Sequence, residues 1–446
     1  MKRFFVFTII SIFFLSSLFS AENDMFEYTA KHNKITITKL KDLTKDTIYI
    51  PSEIDGIRVT EIGEGAFQSS NIISVIIPDT VNHIGAEAFK ECINLSYVAM
   101  PDTVIEIGNS AFENCFSLSD IALPPYLNKI NSRTFKECRS LLNISIPDSV
   151  KSIETDAFSG CTSLKNIIIS DSVSTIEEFA FHNCTSLSAV TIPLSCTIIS
   201  RSLFNGCTSL TNVQLHNNIK EIQPFAFFNC INLKSINLPY SLTEIGMSAF
   251  FNCISLTEII IPRNITEIRE NTFSHCTNLV SISLPKNLTH IHDRAFWNCK
   301  YLSEIIIPNS VKHIGMGVFF DCASLQRILL PENLTILSKH VLHGCESLTE
   351  IQIPSKIKEI QDCAFADCKR LTQISIPKSV KTLGDDVFYS CTNIKRLEIP
   401  SSVTFIGEDA FTGLSSELRI FIEKGSYADK YLTNYFLRIR NINYIR

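Results

Sequence analysis

Cysteine is the residue type whose number and spacing in this 446-residue chain could support chemistry. Fourteen of the sixteen cysteines follow one another at one constant interval, the interval from Cys92 to Cys115, and the series ends at Cys391. The other two, Cys196 and Cys363, lie outside this series. Such a set could form disulfide bonds, ligate metal ions or remain as buried thiols.

The regular interval favours buried thiols. Free cysteine is among the most buried residue types and behaves as a small apolar group. Two observations favour disulfides instead. Cysteines in neighbouring turns would lie near the distance at which a disulfide can form, and disulfides persist outside the cytoplasm. However, each cysteine would have one like neighbour above and one below, so no unique pairing results. Metal binding is the least favoured use, because no Cys-x-x-Cys pair or Cys/His cluster shows ligand spacing. We therefore expect no metal and no cofactor.

The interval belongs to a repeated unit that positions every cysteine. The consensus of the unit is Leu-x-x-Ile-x-Ile, then proline, Val-x-x-Ile-Gly and Ala-Phe-x-x-Cys, and Leu342 is the one substitute for phenylalanine. Alternating apolar residues predict a short strand, which the proline ends. A fixed period of this size is typical of a solenoid, in which stacked units bury each other's apolar edges. We expect columns of like residues and a turn through Val-x-x-Ile-Gly.

This unit resembles the BspA-type leucine-rich repeat, whose pattern can be read from Leu95 to Cys115 with Met100 in place of the second isoleucine. The resemblance covers most of the chain. It implies an α/β repeat solenoid, curved, with a parallel β-sheet on the concave face and little regular helix on the convex side. It also implies exported or surface proteins of bacteria and some protozoa that bind other proteins and cells.

The two ends of the chain depart from the repeat. Residues 1–20 begin with two positively charged residues, continue with an apolar run and end with smaller, more polar residues. This pattern predicts a signal peptide rather than a membrane anchor. Residues 21–50 are interpreted as an N-terminal cap with strands near 34–40 and 46–50. The solenoid of about sixteen turns occupies residues 51–414. Residues 415–446 are interpreted as a C-terminal cap with a strand and a helix that begins after Ser426, and no membrane span is expected in the mature chain.

Signals of catalysis and of nucleic-acid binding are absent from the sequence. There is no nucleophile elbow, phosphate-binding loop, zinc-protease helix or dinucleotide fingerprint, so we expect no catalytic residues and no enzyme. The net charge of −5 and the lack of basic clusters argue against nucleic-acid binding. His290 and His292 could hold a metal, but with no third ligand evident we favour a solvent-facing loop pair.

A protein-binding surface is predicted where large side chains interrupt a polar strand face. The residues two and four after each leucine should point outward onto the concave sheet, and most are small or polar. Exposed aliphatic residues beside charges suggest a binding patch, although scattered apolar residues are also ordinary on protein surfaces. The predicted patch consists of Glu258, Ile260, Glu304, Ile306, Arg327, Leu329 and Glu350.

Taken together, these features favour an exported protein-binding or adhesion module, secreted or held at the cell surface. It would recognise host or neighbouring-cell proteins through its concave sheet. The alternative is a structural scaffold of the envelope or periplasm. Fold alone does not decide between the two.

Overall fold

A stack of short parallel strands runs through the protein. The structure is a computed structural model, and it describes residues 25–435 and 442–445. These residues form a parallel-strand solenoid of about 18 turns with little helix, as the repeat predicts. The signal peptide predicted over residues 1–20 lies outside the described residues.

The first of two ladders, here called ladder A, contains the predicted strands. Each strand ends close to the proline position and pairs in parallel with the equivalent strand of the repeat before or after it, as Asn143 does with Asn166. Their central residues are mostly buried and their flanking residues mostly point outward. The ladder A strands in the repeats are Ser74–Ile76, Tyr97–Ala99, Asn143–Ser145, Asn166–Ile168, Ala189–Thr191, Asn212–Gln214, Glu258–Ile260, Ser281–Ser283, Glu304–Ile306, Arg327–Leu329, Gln373–Ser375 and Arg396–Glu398.

A second ladder, ladder B, forms where a turn was expected. The Val-x-x-Ile segments are two-residue strands in almost every unit, and each buries its isoleucine or leucine against the next turn. The prediction of a simple turn was therefore wrong, since the backbone continues to pair here. The strands are Ile57–Ile62, His83–Ile84, Glu106–Ile107, Lys129–Ile130, Ser152–Ile153, Thr175–Ile176, Ile198–Ile199, Glu221–Ile222, Glu244–Ile245, Glu267–Ile268, His290–Ile291, His313–Ile314, Ile336–Leu337, Glu359–Ile360, Thr382–Leu383 and Phe405–Ile406.

The segment between ladder B and the next ladder A strand, called the Phe–Cys arm, fills the core. Rings of successive turns stack in parallel, as Phe89 and Phe112 do with centroids 5.2 Å apart. The thiol of Cys115 donates a hydrogen bond to the carbonyl of Phe89 one turn earlier, at 3.1 Å. This bond recurs along the cysteine series, and all sixteen cysteines are free thiols. Burial raises the pKa of Cys207 to about 12.

Each arm also holds two residues in the left-handed region of backbone space, on either side of its phenylalanine. In the arm of Phe227 these are Phe225 with φ 62° and Asn229 with φ 59°. Such values are uncommon for residues other than glycine. They persist because the N–H groups of residues 225, 227 and 229 all bond to carbonyls of the next turn, at 2.8–3.1 Å. The arms are therefore a third line of pairing between turns.

The N-terminal segment continues the stack. Phe26–Lys31 pairs antiparallel with Lys34–Leu40, which in turn lies parallel to the first ladder B strand. Thr47–Tyr49 pairs in parallel with the first ladder A strand, and Glu53–Ile54 pairs antiparallel with Ile57–Ile62. Strands predicted near residues 34–40 and 46–50 are thus confirmed, and they add to the sixteen repeat turns.

The C-terminal segment closes the other end. Arg419–Glu423 and Ile442–Ile445 extend ladder A, and the helix Tyr427–Tyr435 lies between them in sequence. The Ser426 hydroxyl accepts a hydrogen bond from the Asp429 N–H at 3.2 Å, which confirms Ser426 as the helix N-cap. Across residues 25–435 and 442–445, no helix combines the length and apolar character needed to cross a membrane.

Candidate functional site

Ladder A presents an outward face on which the predicted patch can be located. In Glu258–Ile260 and Glu304–Ile306 the first and third residues are exposed and the central isoleucine is buried. Arg327–Leu329 follows the same pattern. The outward orientation predicted for the six patch residues in these strands is therefore confirmed.

The structure brings five of the seven predicted residues together. Glu304 lies opposite Arg327 and Ile306 lies opposite Leu329 in adjacent strands. The side chain of Ile306 is 62% exposed and that of Leu329 is 39% exposed. Glu350, one turn further, is exposed outside any assigned strand and lines the same groove as Arg327 and Leu329. We call this five-residue group the ladder A patch.

Glu258 and Ile260 stand apart from the ladder A patch. Ile260 is 73% exposed, and its neighbour in register is Ser283. The strand Ser281–Ser283 therefore separates Ile260 from Ile306, which places them two strand spacings, or about 10 Å, apart. A single bound segment can reach both only if it runs across the strands.

The groove beside the ladder A patch contains residues that the sequence analysis did not select. It extends over the next turns through Gln352, Gln373, Arg396 and Glu398. The guanidinium of Arg396 lies 3.9 Å from the ring centroid of Phe421, which holds it over the groove edge. These groove residues also lie two or four positions after the leucine, or its isoleucine equivalent, of their own units. The rule that selected the predicted patch would therefore have identified them if it had been extended to later turns. The groove combines the exposed apolar side chain of Leu329 with positively and negatively charged side chains. This combination is suited to binding a peptide or the surface of another protein.

His290 and His292 are arranged differently from the expectation. His290 lies in a ladder B strand rather than in a loop. Glu267, one turn earlier, reaches both rings, with 3.0 Å from its Oε2 to His292 Nε2 and 3.8 Å from its Oε1 to His290 Nδ1. The hydrogen bond with His292 lowers the pKa of Glu267. The third partner was missed because it lies a whole turn of the solenoid away in sequence.

A second histidine group includes a cysteine from the next turn of the solenoid. One ligand atom from each of His340, His343 and Cys363 lies within 4.8 Å of the other two, although no such Cys/His cluster is visible in the local sequence. All three side chains are half-buried. Burial lowers the pKa of both histidines, which leaves them neutral near pH 7.

Solved structures to which this chain is similar come from several bacteria. A leucine-rich repeat protein from Bacteroides ovatus is 27% identical over 95% of this chain and 99% of its own, with a TM-score of 0.66. A leucine rich cell surface protein from Faecalibacterium prausnitzii is 24% identical over 91% and 95%, with a TM-score of 0.41. The pneumococcal vaccine antigen PcpA is 17% identical over 95% and 98%, with a TM-score of 0.43.

The sequence itself matches one family profile. No curated protein sequence matches the chain. The profile described as the BspA type leucine rich repeat region matches in 6 copies, with matched segments that overlap from residue 60 to residue 418. These segments cover the ladders, the Phe–Cys arms and the ladder A patch described above. The chain therefore belongs to the BspA-type leucine-rich repeat family.

Proposed function

We propose that this chain is an exported, non-enzymatic module that binds host or neighbouring-cell proteins through the face of ladder A. The observation that carries the proposal is the pair Ile306 and Leu329, side by side and exposed in a face that is otherwise mostly polar. Glu304, Arg327 and Glu350 rim the pair. Exposed aliphatic residues with a charged rim are typical of protein-binding surfaces.

In the ladder A patch, a few apolar side chains should contribute most of the binding free energy. Full burial of an isoleucine or leucine side chain contributes about 1.5–3 kcal/mol. The surrounding charges add less affinity, but they select the partner and increase its rate of association. Ile306 and Leu329 should therefore dominate the affinity, and the three charged residues should determine specificity.

The depressions on ladder A support its assignment as the concave, binding side. One groove runs from Arg327 to Glu398, a second lies beside Ile306 and Leu330, and a third lies beside Ile168. All three open on ladder A, and a fourth depression lies between the last ladder B strand and the C-terminal helix. A partner that follows this face can contact several turns at once, which is how solenoids commonly bind.

Export is supported by the first twenty residues. Lys2 and Arg3 precede the apolar run from Phe4 to Phe14, as in secretory signals. We propose secretion or cell-surface display, and a periplasmic scaffold is the alternative location and role. Without its first twenty residues the chain loses two positive charges, so its formal charge of −5 becomes −7.

A triple substitution tests the binding face. Ile260, Ile306 and Leu329 are replaced by serine in the purified protein, and binding to intact mammalian and bacterial cells is measured by flow cytometry. We expect an unchanged circular dichroism spectrum and at least a tenfold loss of cell binding, equivalent to about 1.4 kcal/mol. Ile336→Ser is the control, because Ile336 is an aliphatic residue that is 41% exposed in ladder B and not in the proposed binding face. Equal binding by the triple variant and the wild type would refute the assignment of this face.

Protease treatment of intact producing cells tests the location. Rapid loss of the protein, with a periplasmic marker intact, is expected for a surface or secreted adhesion module. Protection until the envelope is broken would contradict it and would support the scaffold role.

A further inference from the structure

We propose that His340, His343 and Cys363 form a zinc-binding site at the joint between two consecutive Phe–Cys arms. Imidazole nitrogen and thiolate sulfur are preferred donors for Zn²⁺, and three protein ligands leave a fourth position for water. The three donor atoms lie within 4.8 Å of one another. Zinc with bonds of about 2.0–2.3 Å needs them closer by about 1 Å, which rotation of the His340 and Cys363 side chains would supply.

The backbone of the arms creates this arrangement. His340 and Cys363 occupy the same position of consecutive arms, two before the phenylalanine position, with φ of 55° and 52°. The His340 N–H donates to the carbonyl of Asp362 at 3.0 Å, which holds the two arms in register. The His343 N–H donates to the carbonyl of His340 at 3.2 Å and closes a tight turn. Both rings thus lie beside the thiol of the next turn.

Two unsatisfied nitrogens point to a ligand. The Nδ1 atoms of His340 and His343 are buried, and neither finds a hydrogen-bond partner among the residues the structure describes. The other nitrogen of His343, Nε2, lies 3.6 Å from Asp367 Oδ2. A carboxylate on the far nitrogen is the usual partner of a metal-bound histidine, because it orients the ring and increases its basicity. This leaves Nδ1 of His343 for the metal.

The surroundings favour a cation. Three carboxylates, Asp362, Asp385 and Asp386, lie near Cys363, and one of them, Asp362, also pairs with the Lys339 ammonium at 2.7 Å. On binding, the Cys363 Sγ–H proton leaves to solvent as the Sγ–Zn bond forms, and each neutral imidazole contributes a lone pair. The carboxylates then face a bound divalent cation instead of a thiolate.

Two departures from the repeat coincide at this joint. Cys363 is one of the two cysteines outside the regular series, and Leu342 is the one residue that replaces phenylalanine in the arms. The ring of Phe320 stacks on His343 with centroids 4.5 Å apart and limits its rotation. The structure places both departures around one cluster.

The test uses the purified full chain, stripped of metal with a chelator and titrated with Zn²⁺ against a chromophoric competitor. We expect one zinc per chain. Co²⁺ in place of Zn²⁺ should give a thiolate-to-cobalt charge-transfer band, and Ca²⁺ and Mg²⁺ should not compete. Each of Cys363→Ser, His340→Asn and His343→Ser should weaken zinc binding at least about tenfold.

These variants should fold, because other arms carry the same residues at the same positions. Ser248, Asn271 and Ser274 occupy the places of Cys363, His340 and His343 in their own arms. Cys196→Val and His182→Ser are the controls for a lost thiol and a lost imidazole outside the cluster. The proposal fails if folded wild type does not bind one zinc, if the cobalt band is missing, or if the three ligand variants bind zinc as tightly as the controls.

Discussion

The interior of the Phe–Cys arms and the outer face of ladder A follow opposite rules. Inside, phenylalanine and cysteine recur in nearly every turn, as in Phe227 and Cys230, because each side chain must fit the same residue above and below it. Outside, the third residue of a ladder A strand varies from Ser283 to Ile306, and the first residue varies from Ser281 to Arg327. The comparison shows that stacking constrains residues only where neighbouring turns bury one another. Residues on the outer face of ladder A can therefore vary and can acquire a role in binding other proteins.

High pH should produce the largest effect, mainly through the many buried thiols of the interior. Burial raises the pKa of Cys207 and of Cys276 to about 12, far above the ordinary value for a thiol. Above about pH 9 the unfolded chain therefore binds fewer protons than the native chain, and the free energy of unfolding falls as pH rises. Each such thiol contributes up to about 1.4 kcal/mol per pH unit. Urea unfolding midpoints measured at about pH 7, 9 and 10 should fall steeply at the alkaline end. A constant midpoint would mean that the thiols are not buried in this way.

Two adjacent phenylalanines give the next largest difference. Phe227 is buried between Phe204 and Phe250, with ring centroids 5.6 and 5.3 Å away. Phe227→Ala should cost about 3–5 kcal/mol in the free energy of unfolding, because it leaves a cavity between two rings. Phe228 lies half-buried on the outer side of the same arm, and its ring stacks on that of Phe251 with centroids 4.7 Å apart. Phe228→Ala should cost about 1 kcal/mol. Equal losses in chemical denaturation would contradict the inside–outside distinction.

A single thiol should have a smaller effect. Cys230 donates a hydrogen bond to the Phe204 carbonyl at 3.1 Å, so Cys230→Ala loses both this bond and buried volume. We expect a cost of about 1–2 kcal/mol. Cys196→Val is the control, since Cys196 occupies the valine position of its turn and valine should be accommodated there within about 0.5 kcal/mol. Differential scanning calorimetry on the two variants measures the contrast.

Ile306→Ser on the outer face should have the smallest effect on stability. Its side chain is 62% exposed, so the free energy of unfolding should change by no more than about 0.5 kcal/mol. Cell binding by the same variant should fall measurably, because Ile306 is half of the apolar pair in the ladder A patch. A variant that unfolds more easily but binds normally would reverse the roles assigned to the two regions.

The constant period of the repeat accounts for most of the fold that could be predicted. It places like residues in columns, so the contact between Ile306 and Leu329 follows directly from their spacing. The strand near residues 34–40 and the N-cap at Ser426 followed from local patterns. These features depend on repetition or on neighbours in sequence, which are the two kinds of information that a single chain displays.

The missed features depend on contacts between turns. Ladder B consists of two-residue strands, too short for an alternating pattern to reveal. The left-handed positions include Phe179, Phe225 and Arg294, where no glycine or asparagine marks the backbone. Cys363 meets His340 and His343 only because one full repeat of the chain completes one turn. Such partners are visible only when the sequence is aligned with itself at the repeat length.

The constant register has an evolutionary consequence. Deletion or duplication of one whole unit preserves every column, so this solenoid can change length in single steps without an interior mismatch. The pair Ile306 and Leu329, however, lies across one boundary between units, and His340 with Cys363 lies across another. Duplication of a single unit copies neither. A new site of this kind must therefore arise by substitution on both sides of a boundary, or be inherited as a tandem pair.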